Sequence, residues 1–194
     1  MKLLQSIARE LDAQLDRRES IIREGRDVLR ESKKIIFLCH EHKVSEAHTR
    51  LTKLFKEVKD AERKFSRPLF PASGPYPLYS DGSWCAAVEE FLEAWFVYHF
   101  LKNNKIVEPR GISPKAEVYI GALADSTGEL VRLAVLKGAE KDGKAIEHYR
   151  KLIAQVVKFM LPLHLVGSNR QKFDQAKRNL KRVEEILYEV KIRT

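Results

Sequence analysis

Residues 4–36, LQSIARELDAQLDRRESIIREGRDVLRESKKII, place Ala8, Leu15, Ile22, Leu29 and Ile36 every seven positions, with Leu4 and Leu11 beside the same stripe. Apolar residues at that interval line one face of an α-helix, whereas a strand would need alternation. The spacing predicts one long helix over 2–42. Working outward, Leu51, Leu54, Phe55 and Val58 mark a second helix over 45–65, with Ser45 as its expected N-cap. The segment RPLFPASGPYP, residues 67–77, has four prolines and a glycine and cannot be helical. Further helices are expected over 83–103, 114–138 with Gly138 as a C′ glycine, and 142–166 with an interruption at Pro162. The last begins at Ser168 and has two heptad rows, Phe173, Leu180 and Leu187, then Ala176, Val183 and Val190. The class is all-α, an antiparallel bundle of six to seven long helices in one domain over 1–194. Heptad rows on both terminal helices expose more apolar surface than one small bundle hides, which predicts self-association through them.

The chain is 194 residues long, 44% hydrophobic and 32% charged, with a formal net charge of +9. That balance suits a helical globular protein with an anionic partner. Cys39 and Cys85 make neither a disulfide framework nor a CxxC site, and a cytoplasmic location is expected. MKLLQSIARE lacks the apolar stretch of a signal peptide. No run approaches the roughly 20 apolar residues of a membrane span, so no membrane partner is expected.

Two helices have acids where apolar groups belong. CAAVEEFLEAWFVYHFL, residues 85–101, contains Glu89, Glu90 and Glu93 with no lysine or arginine in the run. Glu90 and Glu93 are three apart and share a helix face that Val97 and Leu101 continue. VYIGALADSTGELVRLAV, from Val118, places Asp125 after an uncharged run and Glu129 one turn later. Packed antiparallel, such helices bring four carboxylates together across an interaxial gap of roughly 8–10 Å. Gly121, Ala124 and Gly128 would permit close backbone approach. Crowded carboxylates repel, so without a cation at least one should keep its proton. Mg²⁺ or Mn²⁺ satisfies hard oxygen donors of this kind.

Plainer readings exist for some of these residues. Glu129 has Arg132 three residues on as a pairing partner, and Glu89 with Glu90 could form a solvated edge. A di-iron bundle needs Glu-x-x-His, and no histidine here has a glutamate three positions before it. His40 and His42 read as a polar helix end. Arg23, Arg26, Arg30 and Lys33 lie on one face of the first helix as candidate nucleic-acid contacts, with Glu24, Asp27 and Glu31 adjacent.

Four stretches resemble the translin family, in its translin-associated factor X branch. They are ESKKIIFLCH (31–40), EEFLEAWFVYHFLK (89–102), YIGALADSTGELVRL (119–133) and KRVEEILYEVKIR (181–193). The similarity spans essentially the whole chain and is most specific around Asp125. The resemblance implies a seven-helix subunit in a hollow, octamer-like shell and a Mg²⁺-dependent endoribonuclease with its acids facing inward. It places the branch's catalytic glutamates on Glu90 and Glu93, its catalytic aspartate on Asp125, and a further acid on Glu129. Translin itself resembles a non-catalytic partner, without the acid at the position of Asp125. One departure stands out: translin's basic stretch before the third helix reads LYSDGSWCAA here, with no base. The expected activity is hydrolysis of single-stranded RNA inside a homo-oligomer. Glu90, Glu93 and Asp125 would hold one or two Mg²⁺, with Glu129 as ligand or water-orienting group. The alternative is a translin-like scaffold that binds nucleic acid without cutting it.

Overall fold

The computed structural model describes residues 2–69 and 76–192. Six α-helices account for most of them: α1 Lys2–His40, α2 Val44–Phe65, α3 Gly82–Asn103, α4 Ala116–Ala139, α5 Gly143–Met160 and α6 Gly167–Ile192. A 3-10 turn, Leu78–Ser80, precedes α3. The described residues contain no β-strand, only a lone bridge between Arg110 and Ile112. No helix among them is long and apolar enough to cross a membrane.

Helix ends follow local chemistry more closely than the apolar stripes do. Asp81 caps α3 by accepting from Ser83 N and Trp84 N, at 2.9 and 3.2 Å. Asp142 caps α5 by accepting from Ala145 N at 3.0 Å. Ser45 is not a cap: α2 begins one residue earlier, with Lys43 at the cap position and no side-chain bond there. Gly138 is not a C′ residue either, since α4 runs through it to Ala139. A Cβ at Gly138 would lie 3.3 Å from Ile186 Cγ2, so this glycine serves packing against α6. The left-handed residue after α4 is Lys141, φ 57°. Helix α5 stops at Met160, two residues before Pro162, rather than resuming to Val166. The predicted break over 67–77 agrees at residues 67–69 and 76–77, while Pro71 and Pro75 lie outside the described residues. The same is true of Arg193 at the end of the last family-like stretch.

The core is one cluster shared by all six helices. Helix α3 is its axis, with Trp84, Val88, Phe91, Leu92, Phe96 and Phe100 fully buried. It packs against α1 on one side and α4 on another, and α4 packs in turn on α5 and α6. In α1 the buried line is Ile21, Val28 and Ile35, with Ser32 and Cys39 continuing the same face. This lies one residue from the predicted row, so Ile22 and Leu29 are only half-buried. Gly25 on the same face lets α3 approach; a Cβ there would rest 3.5 Å from Ala87 Cβ.

The two heptad rows of α6 are used within the subunit. Phe173, Ala176, Val183 and Leu187 are buried, with Leu180 and Val190 half-buried against the core. The first turns of α1 differ, since Leu3, Leu4, Ile7, Leu11 and Leu15 are all more than half exposed. The larger share of the exposed apolar surface on the terminal helices therefore lies on α1, with Tyr188 and Ile192 exposed at the end of α6. Changing Leu11 and Leu15 together to Asp is expected to leave the subunit folded and break the assembly. Light scattering checks this, with wild type larger than a dimer and the variant smaller.

Candidate active site: an acid cluster between α3, α4 and α6

Antiparallel packing of α3 and α4 brings the four candidate acids into one electrostatic neighbourhood. Glu90 and Glu93 on α3 each feel Asp125 and Glu129 on α4 as like charges. Burial pushes the Glu93 carboxyl up to about 8, and Glu90, Asp125 and Glu129 push the same way. Glu90 is also raised, first by burial, with Lys33 of α1 opposing and the other acids adding. Neither Glu90 nor Glu93 has a side-chain hydrogen bond to another described residue. At least one carboxyl of the cluster therefore keeps its proton near neutral pH, as crowding requires.

The two acids on α4 are partnered. Glu129 pairs with His40 Nε2 at the end of α1. That bond holds the Glu129 carboxyl below its usual range against the opposing effect of burial. Arg132, the partner suggested by spacing, is a looser neighbour at 3.8 Å. His40 is buried, and its Nδ1 has no partner among the described residues. It is thus part of the site and not merely a polar helix end. His42, beyond the helix with φ 56°, is exposed and apart from it.

Asp125 is held by a residue that the sequence does not single out. Lys172 Nζ of α6 donates to Asp125 Oδ2 and to Glu89 Oε1, both at 2.5 Å. Glu89 is therefore no solvated edge. Its carboxylate lies over Gly121 of α4, where a Cβ would collide with Glu89 Oε2. Gly121 admits a carboxylate rather than a neighbouring backbone. Gly128 faces Asn179 of α6, which donates to Thr127 Oγ1 at 2.8 Å and locks α6 to α4.

The donor set is rich in hard carboxylate oxygens, one retaining its proton because burial and then the neighbouring like charges disfavour its ionised form. Among the described residues no three His, Cys, Asp or Glu side chains are drawn together closely enough to hold one ion. Lys172 supplies positive charge at Asp125 instead.

The candidate nucleic-acid face of α1 is exposed along its length: Arg23, Arg26, Arg30 and Lys33. Arg30 is bound to Asp27 at 2.7 Å. Lys33 acts on Glu90, which brings this end of the basic row to the acid cluster. On α6, Arg170 and Lys177 both pair with Asp174, at 3.3 and 2.6 Å.

The fold has counterparts among solved structures. The crystal structure of apo-NeC3PO superposes with a TM-score of 0.84 at 17% identity, covering 98% of both chains. The structure of AfC3PO gives 0.81 at 23% identity, covering 99% of this chain and 98% of that one. The AfC3PO–duplex RNA complex gives 0.78 at 22% identity, covering 99% and 97%. Among curated proteins, the translin-associated protein X homolog of Schizosaccharomyces pombe (strain 972 / ATCC 24843) is 24% identical over 186 residues, 89% of this chain and 80% of that protein. The Translin family model matches residues 16–194, so this chain belongs to the translin family.

Proposed function

We propose that the chain is a metal-dependent endoribonuclease of single-stranded RNA, working inside a homo-oligomeric shell of octamer-like form. The observation that carries this reading is Glu93, a largely buried acid raised to about 8 beside three further acids. A scaffold has no use for such a carboxyl, whose charged form is costly until a cation arrives. The likeness to the translin-associated protein X homolog supports placing the chain in that branch of the family.

Glu90, Glu93 and Asp125 would hold one or two Mg²⁺, with Mn²⁺ as substitute and Glu129 as ligand or water-orienting group. When bound, the ion would polarise the scissile phosphodiester and lower the pKa of a bound water. The protein's own part is to position the charges. His40 fixes the Glu129 carboxylate from α1, leaving its free oxygen to orient a water. Burial of Glu93 keeps the cluster short of full charge until a cation enters, limiting repulsion of an incoming phosphate. Attack by water leaves a 5′-phosphate and a 3′-hydroxyl, and a flexible single strand enters a recessed site more readily than a duplex.

The test is cleavage of a labelled single-stranded RNA in Mg²⁺ and in EDTA, with end-group analysis of the products. Cleavage in Mg²⁺ alone, giving 5′-phosphate ends, is expected. RNA binding with no cleavage under any divalent ion would establish the scaffold alternative. Because a structurally similar chain is seen in complex with duplex RNA, a duplex of the same sequence is the comparison substrate.

RNA affinity should fall with salt, with a log–log slope near −0.7 for each phosphate neutralised. Arg26→Ala and Lys33→Ala are each expected to flatten that slope by about one contact. Arg30→Ala should do less, because Asp27 already holds this guanidinium. Filter binding across a salt series measures it, and unchanged slopes would move the RNA path off α1.

A further inference from the structure

Among the described residues Lys172 is the one lysine or arginine that hydrogen-bonds within the acid cluster. Its side chain is three-quarters buried, at 25% exposure, and comes from α6 rather than from either acid-bearing helix. The ammonium bridges Glu89 on α3 and Asp125 on α4, at 2.5 Å from each. It also pulls on Glu93 against the other acids. The bridge is built into the backbone. Gly121 leaves room for the Glu89 carboxylate, and Asn169, one turn before Lys172, donates to Glu117 O at 3.0 Å and fixes the start of α6 on α4.

We propose that Lys172 is an internal counter-cation of the acid cluster, holding Asp125 until a divalent ion arrives and then remaining with Glu89 alone. The inference rests on the metal-nuclease reading above. Mg²⁺ binds a carboxylate oxygen at about 2.0–2.1 Å, inside the 2.5 Å at which the ammonium holds Asp125. Two positive charges on one carboxylate repel, so the ion and the ammonium compete for Asp125. Glu89 has no part in the metal set assigned above; its role is to give the lysine a second seat. Lys172 and Glu89 thereby set metal affinity without being ligands.

A plain structural strut predicts something different. If Lys172 only ties α6 to α3 and α4, removing it loosens the cluster and weakens metal binding. If it competes with the ion, removing it strengthens binding. The experiment titrates the full chain with Mn²⁺ and follows the free ion by electron paramagnetic resonance, so cleavage is not the readout. Lys172→Met is expected to lower the Mn²⁺ dissociation constant by about tenfold, a difference of about 1.4 kcal/mol. Lys172→Arg keeps the charge and should bind as wild type does. Glu89→Gln leaves the lysine only Asp125 and should weaken Mn²⁺ binding several-fold. Lys172→Gln is the second neutral variant, should Lys172→Met fail to fold, and shifts affinity in the same direction. Unchanged or weaker Mn²⁺ binding in the neutral variants, with wild type binding normally, overturns the counter-cation and leaves the nuclease reading standing. A wild-type protein that neither takes up Mn²⁺ nor cuts RNA removes both.

Discussion

Asp125→Asn is expected to reduce Mg²⁺-dependent RNA cleavage by a factor on the order of 10²–10³, the scale of removing one preorganised electrostatic group. The amide keeps the shape of the side chain but cannot supply the charge a divalent ion needs. RNA binding should persist, since the basic row on α1 is untouched and one repelling charge is gone. Stability should move the other way from a simple relief of crowding. Lys172 loses one of its two carboxylate partners and keeps Glu89. Both side chains of that pair are partly solvated, so the loss is about 1 kcal/mol, or roughly 2–4 °C of melting temperature in EDTA for a chain of this size. Single-turnover cleavage and a melting curve measure the two effects. A variant that cuts at the wild-type rate would end the assignment of catalysis to this cluster.

The pairing of Asp125 with Lys172 marks the limit of what the sequence discloses. Helices and class are legible because apolar spacing repeats locally, and α6 buries the very rows its heptads mark out. The α1 row falls one residue off because α3, not an identical helix, sets which face is covered. The acids of α3 and α4 are legible because a carboxylate within an apolar run is costly wherever it points. Their partners are not. Lys172 is one base among many in QKFDQAKRNLKR, and its two contacts lie 47 and 83 residues away in the chain. His40 reaches Glu129 across 89 residues. One local signal exists at each. Gly121 breaks helix propensity in an otherwise apolar stretch, which points to a close neighbour over it. His40 lies four residues after buried Ile36, on the face that α1 turns inward.

Glu93→Gln should stabilise the metal-free protein, and the gain should grow with pH. Burial, then the like charges of Glu90, Asp125 and Glu129, raise the folded carboxyl to about 8 from an ordinary value of 4.5. The folded chain therefore holds a proton that the unfolded chain releases. The stability this proton brings is fully present below pH 4.5 and is lost as pH rises through 8. Glutamine carries no such proton, so its advantage over wild type is small in acid, widens through neutrality and levels off above the folded value. Each pH unit of displacement is worth about 1.4 kcal/mol before solvent screening, which puts the full difference on the order of a few kcal/mol. In melting temperature that is about 5–10 °C in EDTA at alkaline pH. Glu129→Gln should show the opposite sign near neutrality, because His40 holds that carboxyl below its usual range. Saturating Mg²⁺ should favour ionised Glu93 and erase the wild-type loss at high pH, an effect the glutamine variant cannot show. Melting curves of wild type and both variants from about pH 5 to 9, with and without Mg²⁺, separate these outcomes. Parallel profiles for wild type and Glu93→Gln in EDTA would mean that Glu93 is ionised in the folded protein. The cluster would then be a set of ordinary paired acids with no special demand for a cation.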